Sequence, residues 1–142
     1  MHRMDSLKSE LLKADVSFSQ FSVQQGRNAA FSEFADSTAV MLRKFSMPVV
    51  GKESIVTIFQ NHPDSAYELS WVPLYAGVAR SGDLGYTYGI YSLHSKLNSG
   101  EITGSKNPGG TYCTIWKYDR GSQQWKFILG TGNQGLSMTE DE

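Results

Sequence analysis

Two long runs rich in β-branched and aromatic residues flank a short polar turn in the middle of the chain. The runs cover 67–80 and 84–97, and the turn between them is Ser81-Gly82-Asp83. Gly82 can adopt a positive φ angle and the Asp83 side chain can bond nearby backbone, so both residues favour a tight turn. The pattern therefore predicts a long antiparallel hairpin.

Two glycines interrupt the second of these runs. Gly85 and Gly89 alternate with Thr87 on one face of the predicted strand, while Tyr86 and Tyr88 project from the other. Glycine weakens a strand, so its presence here indicates a bend or the close approach of another group. We expect a curved hairpin.

Apolar periodicity predicts three helices before the hairpin. The first runs from Asp5 to Gly26, and its apolar stripe is Leu7, Leu11, Ala14, Phe18 and Phe21. The other helices cover 27–34 and 52–60; Asp36-Ser37 should end the second, 38–43 should be a short strand, and 47–51 a loop. After the hairpin we expect a glycine-rich loop at 98–110, which could act as a lid, and strands at 111–119 and 124–131.

This order predicts an α+β fold in which three N-terminal helices lie on one face of a strongly curved antiparallel sheet. Such a sheet wraps into a cone, and the open end of the cone is where a pocket would lie. The 142 residues contain no repeat and no candidate linker, so we expect one domain with a core at about 6–132 and a disordered acidic tail at 133–142.

The composition disfavours several classes of protein. With a net charge of −1 and scattered basic residues, we expect no nucleic-acid partner. No apolar stretch approaches the roughly 18 residues of a membrane helix, so we expect no membrane partner. The polar N-terminus lacks the apolar segment of a signal peptide, which indicates a cytoplasmic protein, or a periplasmic one if a leader has been removed.

Metal and cofactor sites are also not expected. His2, His62 and His94 are scattered without metal-ligand spacing, and the single cysteine, Cys113, has no neighbouring base to activate it. The segment 130–135 has the letters of a dinucleotide-binding motif, but that motif needs a following helix and only seven residues remain. We therefore predict no metal and no cofactor.

Four stretches of the chain carry a family resemblance. They are Leu12-Lys-Ala-Asp15-Val-Ser-Phe18, Val50-Gly51-Lys-Glu-Ser-Ile55, Ser81-Gly-Asp83-Leu-Gly85-Tyr-Thr-Tyr-Gly89, and Gly110-Thr-Tyr112-Cys-Thr-Ile-Trp116-Lys followed by Trp125-Lys-Phe. In these stretches, and over about 6–132, the sequence resembles the nuclear transport factor 2-like superfamily. Within it, the chain is most similar to the SnoaL-like, ketosteroid-isomerase-like proteins of bacteria, whose functions are largely unknown.

The resemblance implies the conical fold but no single activity, because that superfamily includes isomerases, cyclases, dehydratases, epoxide hydrolases and non-enzymatic binding proteins. Its isomerases use a tyrosine of the first helix and two carboxyls in an apolar cavity. Here the first helix offers Phe18 and Phe21, its nearest acid is Asp15, and 127–130 in the last strand contains no acid. The paired-carboxyl pattern is not met.

Asp15 and His94 are the candidate acid-base residues. Asp15 lies beside the apolar stripe, where it could point into the cone as a general base or, as the structural alternative, bond backbone or a tryptophan N–H. His94 is in phase with Tyr86 and Tyr88, and could be an acid-base group near the rim or a solvent-facing histidine.

Aromatic residues on the strands and first helix are the candidate ligand contacts. Rings that face the cone can stack on a ligand, although most rings of such a domain only fill the core. The residues that we expect to contact a ligand are Asp15, Phe18, Trp71, Tyr88 and Trp116.

Three functions remain open from the sequence, and whether the chain is an enzyme is undecided. The first is a domain that binds a small hydrophobic or aromatic molecule in a conical pocket. The second is an isomerase or cyclase that moves a proton next to a carbonyl, and the third is a non-catalytic dimerisation or protein-interaction module. Strands with bulky residues on both faces predict a homodimer formed through the sheet face.

Overall fold

The computed structural model describes residues 3–61, 67–96 and 102–135. Helices come first, and strands dominate the second half. In chain order, the elements are α1 (Arg3–Gln25), α2 (Arg27–Phe34), β1 (Ala35–Leu42), β2 (Val49–Val50), α3 (Lys52–Gln60), β3 (Tyr67–Val78), β4 (Leu84–Lys96), β5 (Ile102–Asp119) and β6 (Gln124–Gln134).

The strands form one six-stranded sheet in the order β2-β1-β6-β5-β4-β3. Strands β3 to β6 are antiparallel neighbours, whereas β1 pairs parallel to β6 and antiparallel to β2. The predicted α+β class with three helices is confirmed. The sheet is mixed rather than wholly antiparallel, because β1 pairs in parallel with β6, the last strand of the chain.

The second helix ends at Phe34 as predicted, but the strand after it begins earlier than predicted, so that Asp36 and Ser37 lie within β1. Asp36 Oδ2 accepts hydrogen bonds from the Thr38 backbone N–H (3.0 Å) and hydroxyl (2.6 Å), near an irregularity in the pairing with β6. This side-chain bonding supports a local bulge within an otherwise paired strand. Val49 and Val50, predicted as loop, pair with β1 as β2.

Strands β5 and β6 are longer than predicted. Residues 102–110, expected to be a loop and a lid, are the first part of β5 and pair with β4, so the lid prediction is wrong there. Asn133 and Gln134 end β6 and pair with β5 instead of starting a tail. The rest of the predicted loop and most of the predicted tail, at 98–101 and 136–142, lie outside the described residues.

The central hairpin forms as predicted, with Gly82 at a φ of 79° in its turn. The register shifts between Pro73 and Tyr75, opposite Gly89. A Cβ built on Gly89 would lie 2.0 Å from the Val72 carbonyl oxygen and 2.9 Å from the Pro73 Cα. The strands approach so closely at this bulge that no side chain fits, which is the close approach that a glycine inside a strand indicates.

Helix α1 seals the free edge of β3 with two serines. Strand β3 is at the end of the sheet, so one row of its backbone groups has no partner strand. The Ser22 hydroxyl donates to the Leu69 carbonyl (2.7 Å), and the Trp71 N–H donates to the Ser19 hydroxyl (2.8 Å). Pro73, two residues further along the same edge, has no N–H to satisfy.

The apolar core is a cluster of rings around Phe18 of α1, which is 3% exposed. Its ring centroid lies 4.7 Å from that of Trp71, 5.4 Å from that of Phe127 and 5.0 Å from that of Phe31, so β3, β6 and α2 meet on one side chain. Burial of such rings is the main favourable term for a domain of this size. None of the described helices is both long and apolar enough to cross a lipid bilayer.

The bulge predicts a strong effect of adding one methyl group. Gly89→Ala should lower the free energy of unfolding by about 2 kcal/mol, because the new Cβ meets backbone atoms that cannot rotate away. Urea denaturation followed by tryptophan fluorescence measures the change. Gly121→Ala is the matched control: its Cβ would have its nearest neighbour at 3.8 Å, and it should change stability by less than about 0.5 kcal/mol. Equal stabilities of the two variants would contradict the proposed close approach.

Candidate functional site

A cavity of about 150 Å³ lies between the helices and the concave face of the sheet. Its wall is mostly apolar and aromatic, with contributions from α1, α2 and all strands except β2. The lining residues are Phe18, Phe31, Met41, Leu69, Trp71, Tyr91, Tyr112, Thr114, Phe127, Gly130, Thr131 and Gly132. An apolar cavity of this volume has room for a single aromatic ring.

Asp15 of α1 lies behind this wall, fully buried, and its carboxylate holds two of the lining residues. The Trp71 indole N–H donates to Oδ1 (2.8 Å), and the Tyr112 hydroxyl donates to Oδ2 (2.7 Å). The Thr87 hydroxyl also interacts with this carboxylate. One carboxylate therefore joins α1 to β3, β4 and β5, which is the geometry of a structural carboxylate.

A second tryptophan extends this network into the core. The Trp116 indole N–H donates to the Thr87 hydroxyl oxygen (3.0 Å), and both residues are fully buried. Thr87 thus accepts from Trp116 while bonding Asp15. The network orders the rings on the concave face, since each indole has one fixed partner.

Burial dominates the electrostatics of the Asp15–Tyr112 pair. Desolvation raises the pKa of Asp15 above its ordinary value, and the hydrogen bonds from Tyr112, Trp71 and Thr87 offset only part of that effect. Burial, followed by the nearby Asp15 charge, also raises the pKa of Tyr112, so its hydroxyl stays protonated. Tyr112 is therefore a hydrogen-bond donor and not a base at neutral pH.

The predicted contact residues occupy three different positions. Phe18 and Trp71 line the cavity. Trp116 is fully buried and packs edge-on against Phe18, with ring centroids 5.8 Å apart, so it supports the wall without forming part of it. Asp15 likewise lies behind the wall, where Tyr112 covers it.

The expectation that Tyr88 lines the pocket is wrong. Its side chain is 47% exposed on the outer face of the sheet, with its ring centroid 5.8 Å from that of Tyr75. Alternation along β4 predicts that Tyr88 and Thr87 lie on opposite faces of the sheet, but it does not predict which of them faces the helices. The buried hydrogen bond between Thr87 and Trp116 shows that Thr87 faces the helices and Tyr88 faces away from them.

His94 also lies on the outer side of the sheet. Its Nδ1 is 3.7 Å from Glu68 Oε2, directly across the β3–β4 ladder, and it does not line the cavity. Cys113 is half-buried, and burial raises the pKa of its thiol, which disfavours a nucleophilic role. Within the described ranges no group of His, Cys, Asp or Glu side chains could hold a metal ion. His2 and His62 lie outside the described residues.

Sequence reasoning missed several lining residues, above all Tyr112. Alternation along β5 places Tyr112, Thr114 and Trp116 on one face, so the buried Trp116 was a usable indicator of the whole row. Phe31 and Met41 could not be found in this way, because their place on the wall depends on how α2 and β1 dock onto β6.

The raised pKa of Asp15 predicts how stability depends on pH. The unfolded chain ionises Asp15 near pH 4 and the folded chain ionises it higher, so the contribution of this group to the free energy of unfolding falls as the pH rises above about 4. Asp15→Asn should remove this fall, which urea denaturation between pH 4 and 8 measures as the difference between the two proteins.

Asp36 is the matched control for this measurement. Hydrogen bonds from Thr38 lower its pKa, so its contribution is present above the unfolded pKa and is lost as the pH falls through the folded one. Urea denaturation extended below about pH 4 should therefore show a difference of the opposite sign for Asp36→Asn. Parallel stability profiles for the wild type and Asp15→Asn would contradict the desolvated carboxylate.

Comparison with known proteins places the fold. No protein-family model and no curated protein sequence matches the chain. Similar solved structures include an NTF2-like protein with a cystatin-like fold from Novosphingobium aromaticivorans, which has a TM-score of 0.64 and 10% identity over 94% of this chain and 84% of that one. A provisionally assigned ketosteroid isomerase from Parabacteroides distasonis has a TM-score of 0.59 and 16% identity over 87% of each chain.

A third similar structure is a protein from Catenulispora acidiphila in complex with S-DNPA. It has a TM-score of 0.65 and 9% identity over 90% of this chain and 94% of that one. At these identities the likeness concerns the fold alone. The chain has the nuclear transport factor 2-like fold, an α+β arrangement of three helices on a curved six-stranded sheet.

Proposed function

We propose that the chain is a small-molecule-binding domain whose ligand places an apolar or aromatic ring in the cavity beside Phe18 and Trp71. The observation that carries this proposal is the cavity itself, about 150 Å³ of space walled by aromatic rings at the centre of the fold. A ring bound there would gain van der Waals contacts with the surrounding side chains.

Two further observations support a binding role. The Asp15 carboxylate holds Trp71 and Tyr112 in fixed orientations, so the wall is organised before a ligand arrives. The neighbour from Catenulispora acidiphila was solved in complex with a ligand, S-DNPA. A preorganised, mostly apolar cavity with few polar groups is typical of ligand sites.

Proton transfer next to a carbonyl, the alternative function, has less support. Among the described lining residues, the titratable groups are Tyr91 and Tyr112, and burial raises the pKa of both. Asp15 is separated from the cavity by Tyr112, and His94 lies on the opposite face of the sheet. A general base must reach the proton that it removes, and neither candidate is on the cavity wall.

We further propose that a second copy of the chain covers the outer face of the sheet. This face exposes an apolar patch made of Val72, Leu74, Tyr75, Tyr86 and Tyr88, each between 42% and 63% exposed. Contiguous apolar patches on soluble domains mark interfaces. A second copy can cover this patch because a twofold-symmetric dimer brings the same surface of both chains together.

Ligand binding predicts a measurable stabilisation. Acetophenone, p-cresol or indole at ten times its dissociation constant should add about 1.4 kcal/mol to the free energy of unfolding and raise the melting temperature by a few degrees. Leu69→Trp should abolish this shift by filling the cavity. Val16→Trp, on an exposed position of α1, should keep it. If no probe shifts the melting temperature of the wild type, the cavity is not a ligand site.

The dimer predicts a mass of about twice 15.8 kDa by light scattering at micromolar concentration. Leu74→Lys, which places a charge within the apolar patch, should reduce this mass to that of one chain. Val50→Lys, equally exposed at the other edge of the sheet, should leave the dimer intact. A monomeric wild type would refute the interface.

A further inference from the structure

The apolar cavity opens into a wider groove at the end of the sheet where β1 and β6 finish. The groove has a volume of about 690 Å³ and shares Met41, Tyr91, Thr131 and Gly132 with the cavity. Because the two spaces share these lining residues, a molecule whose ring fills the cavity has room for further groups in the groove.

The charge of the groove is entirely positive among the described residues that line it. Arg43 and Lys44, which directly follow β1, contribute to its wall, and no Asp or Glu does. Among the described residues that line the groove, neither cation therefore has a carboxylate partner, in a chain whose net charge is −1.

Both cations are held in place by neutral contacts. The Lys44 ammonium donates to the Gln134 side-chain oxygen (3.0 Å), which links the end of β1 to the end of β6. The Arg43 guanidinium lies 5.6 Å from the centre of the Phe59 ring. These contacts restrain the side chains without neutralising their charge, which leaves both available to an anion.

We propose that the ligand of the cavity is an aromatic or apolar molecule with a carboxylate, and that Arg43 and Lys44 bind this carboxylate in the groove. The proposal rests on the proposed function and specifies the class of ligand. Arginine can donate two parallel hydrogen bonds to a carboxylate, and lysine adds a point charge. The neutral polar groups of Asn133 and Gln134 complete the polar part of the groove.

Two probes of the same shape test the proposal on the full chain. Phenylacetate carries the carboxylate, and phenylacetamide replaces it with a neutral amide. Calorimetric titration at low salt should show phenylacetate binding about tenfold more tightly, an advantage that shrinks at 0.3 M NaCl because the groove is open to solvent.

Variants assign this preference to the groove. The double variant Arg43→Gln/Lys44→Gln should bind the two probes with equal affinity. Arg43→Lys should retain a preference because it keeps the charge. Lys117→Gln/Arg120→Gln removes two exposed cations at the opposite end of β5 and should retain the full preference.

The outcomes separate the two proposals. If phenylacetamide binds but phenylacetate binds no more tightly, or if the preference survives in Arg43→Gln/Lys44→Gln, the anionic ligand is refuted and the binding domain stands. If neither probe nor the neutral ketone acetophenone binds, the binding function fails and the anionic ligand fails with it.

Discussion

The structure depends on a single buried carboxylate. Asp15 is fully removed from solvent, a position that costs several kcal/mol unless donors surround the charge. Donors from three neighbouring strands offset part of this cost: Trp71 of β3, Thr87 of β4 and Tyr112 of β5. The hydrogen bonds fix the position of α1 along the sheet, and they bring Phe18 over the ring cluster one turn later.

The same interaction also shapes the cavity. Trp71 and Tyr112 use their polar groups on Asp15 and present ring surface to the empty space, so the wall is apolar although its anchor is charged. The opposite wall includes Gly130 and Gly132 of β6, which add no side chain. The cavity therefore lies between the rings that Asp15 orients and the glycines of β6. It adjoins the groove that Arg43 and Lys44 line.

The sequence predicted what depends on local chemistry. The hairpin turn at Gly82, the close approach at Gly89 and the helix at 52–60 follow from backbone preferences and apolar spacing within a few residues. The face of Tyr88 could not be predicted in this way, because period-two alternation is symmetric until one inward residue is known. The parallel pairing of β1 with β6 is equally non-local, since it joins residues about ninety positions apart.

The candidate site also combines features that the local sequence predicts with features that depend on distant parts of the chain. Asp15 was a candidate because it lies beside an apolar stripe, yet its partners lie 56 and 97 positions away, and no spacing rule connects them. The role of the serines of α1 was not predicted either. Ser19 and Ser22 are buried, at positions where an amphipathic helix would be expected to carry apolar side chains. Polar residues on an inward helix face indicate a backbone or side chain to be satisfied, but only the docked strand identifies it.

Those two serines have a consequence for how molecules of this protein meet. Strand β3 would otherwise offer a template for the strand of another molecule, but its hydrogen-bonding groups at Leu69 and Trp71 are already occupied and Pro73 has none to give. The opposite border of the sheet is β2, with two residues. Strand pairing between molecules, as in a fibril, is thus blocked at residues 69–73 on the β3 edge. At the β2 edge, a strand of two residues offers few backbone groups for such pairing.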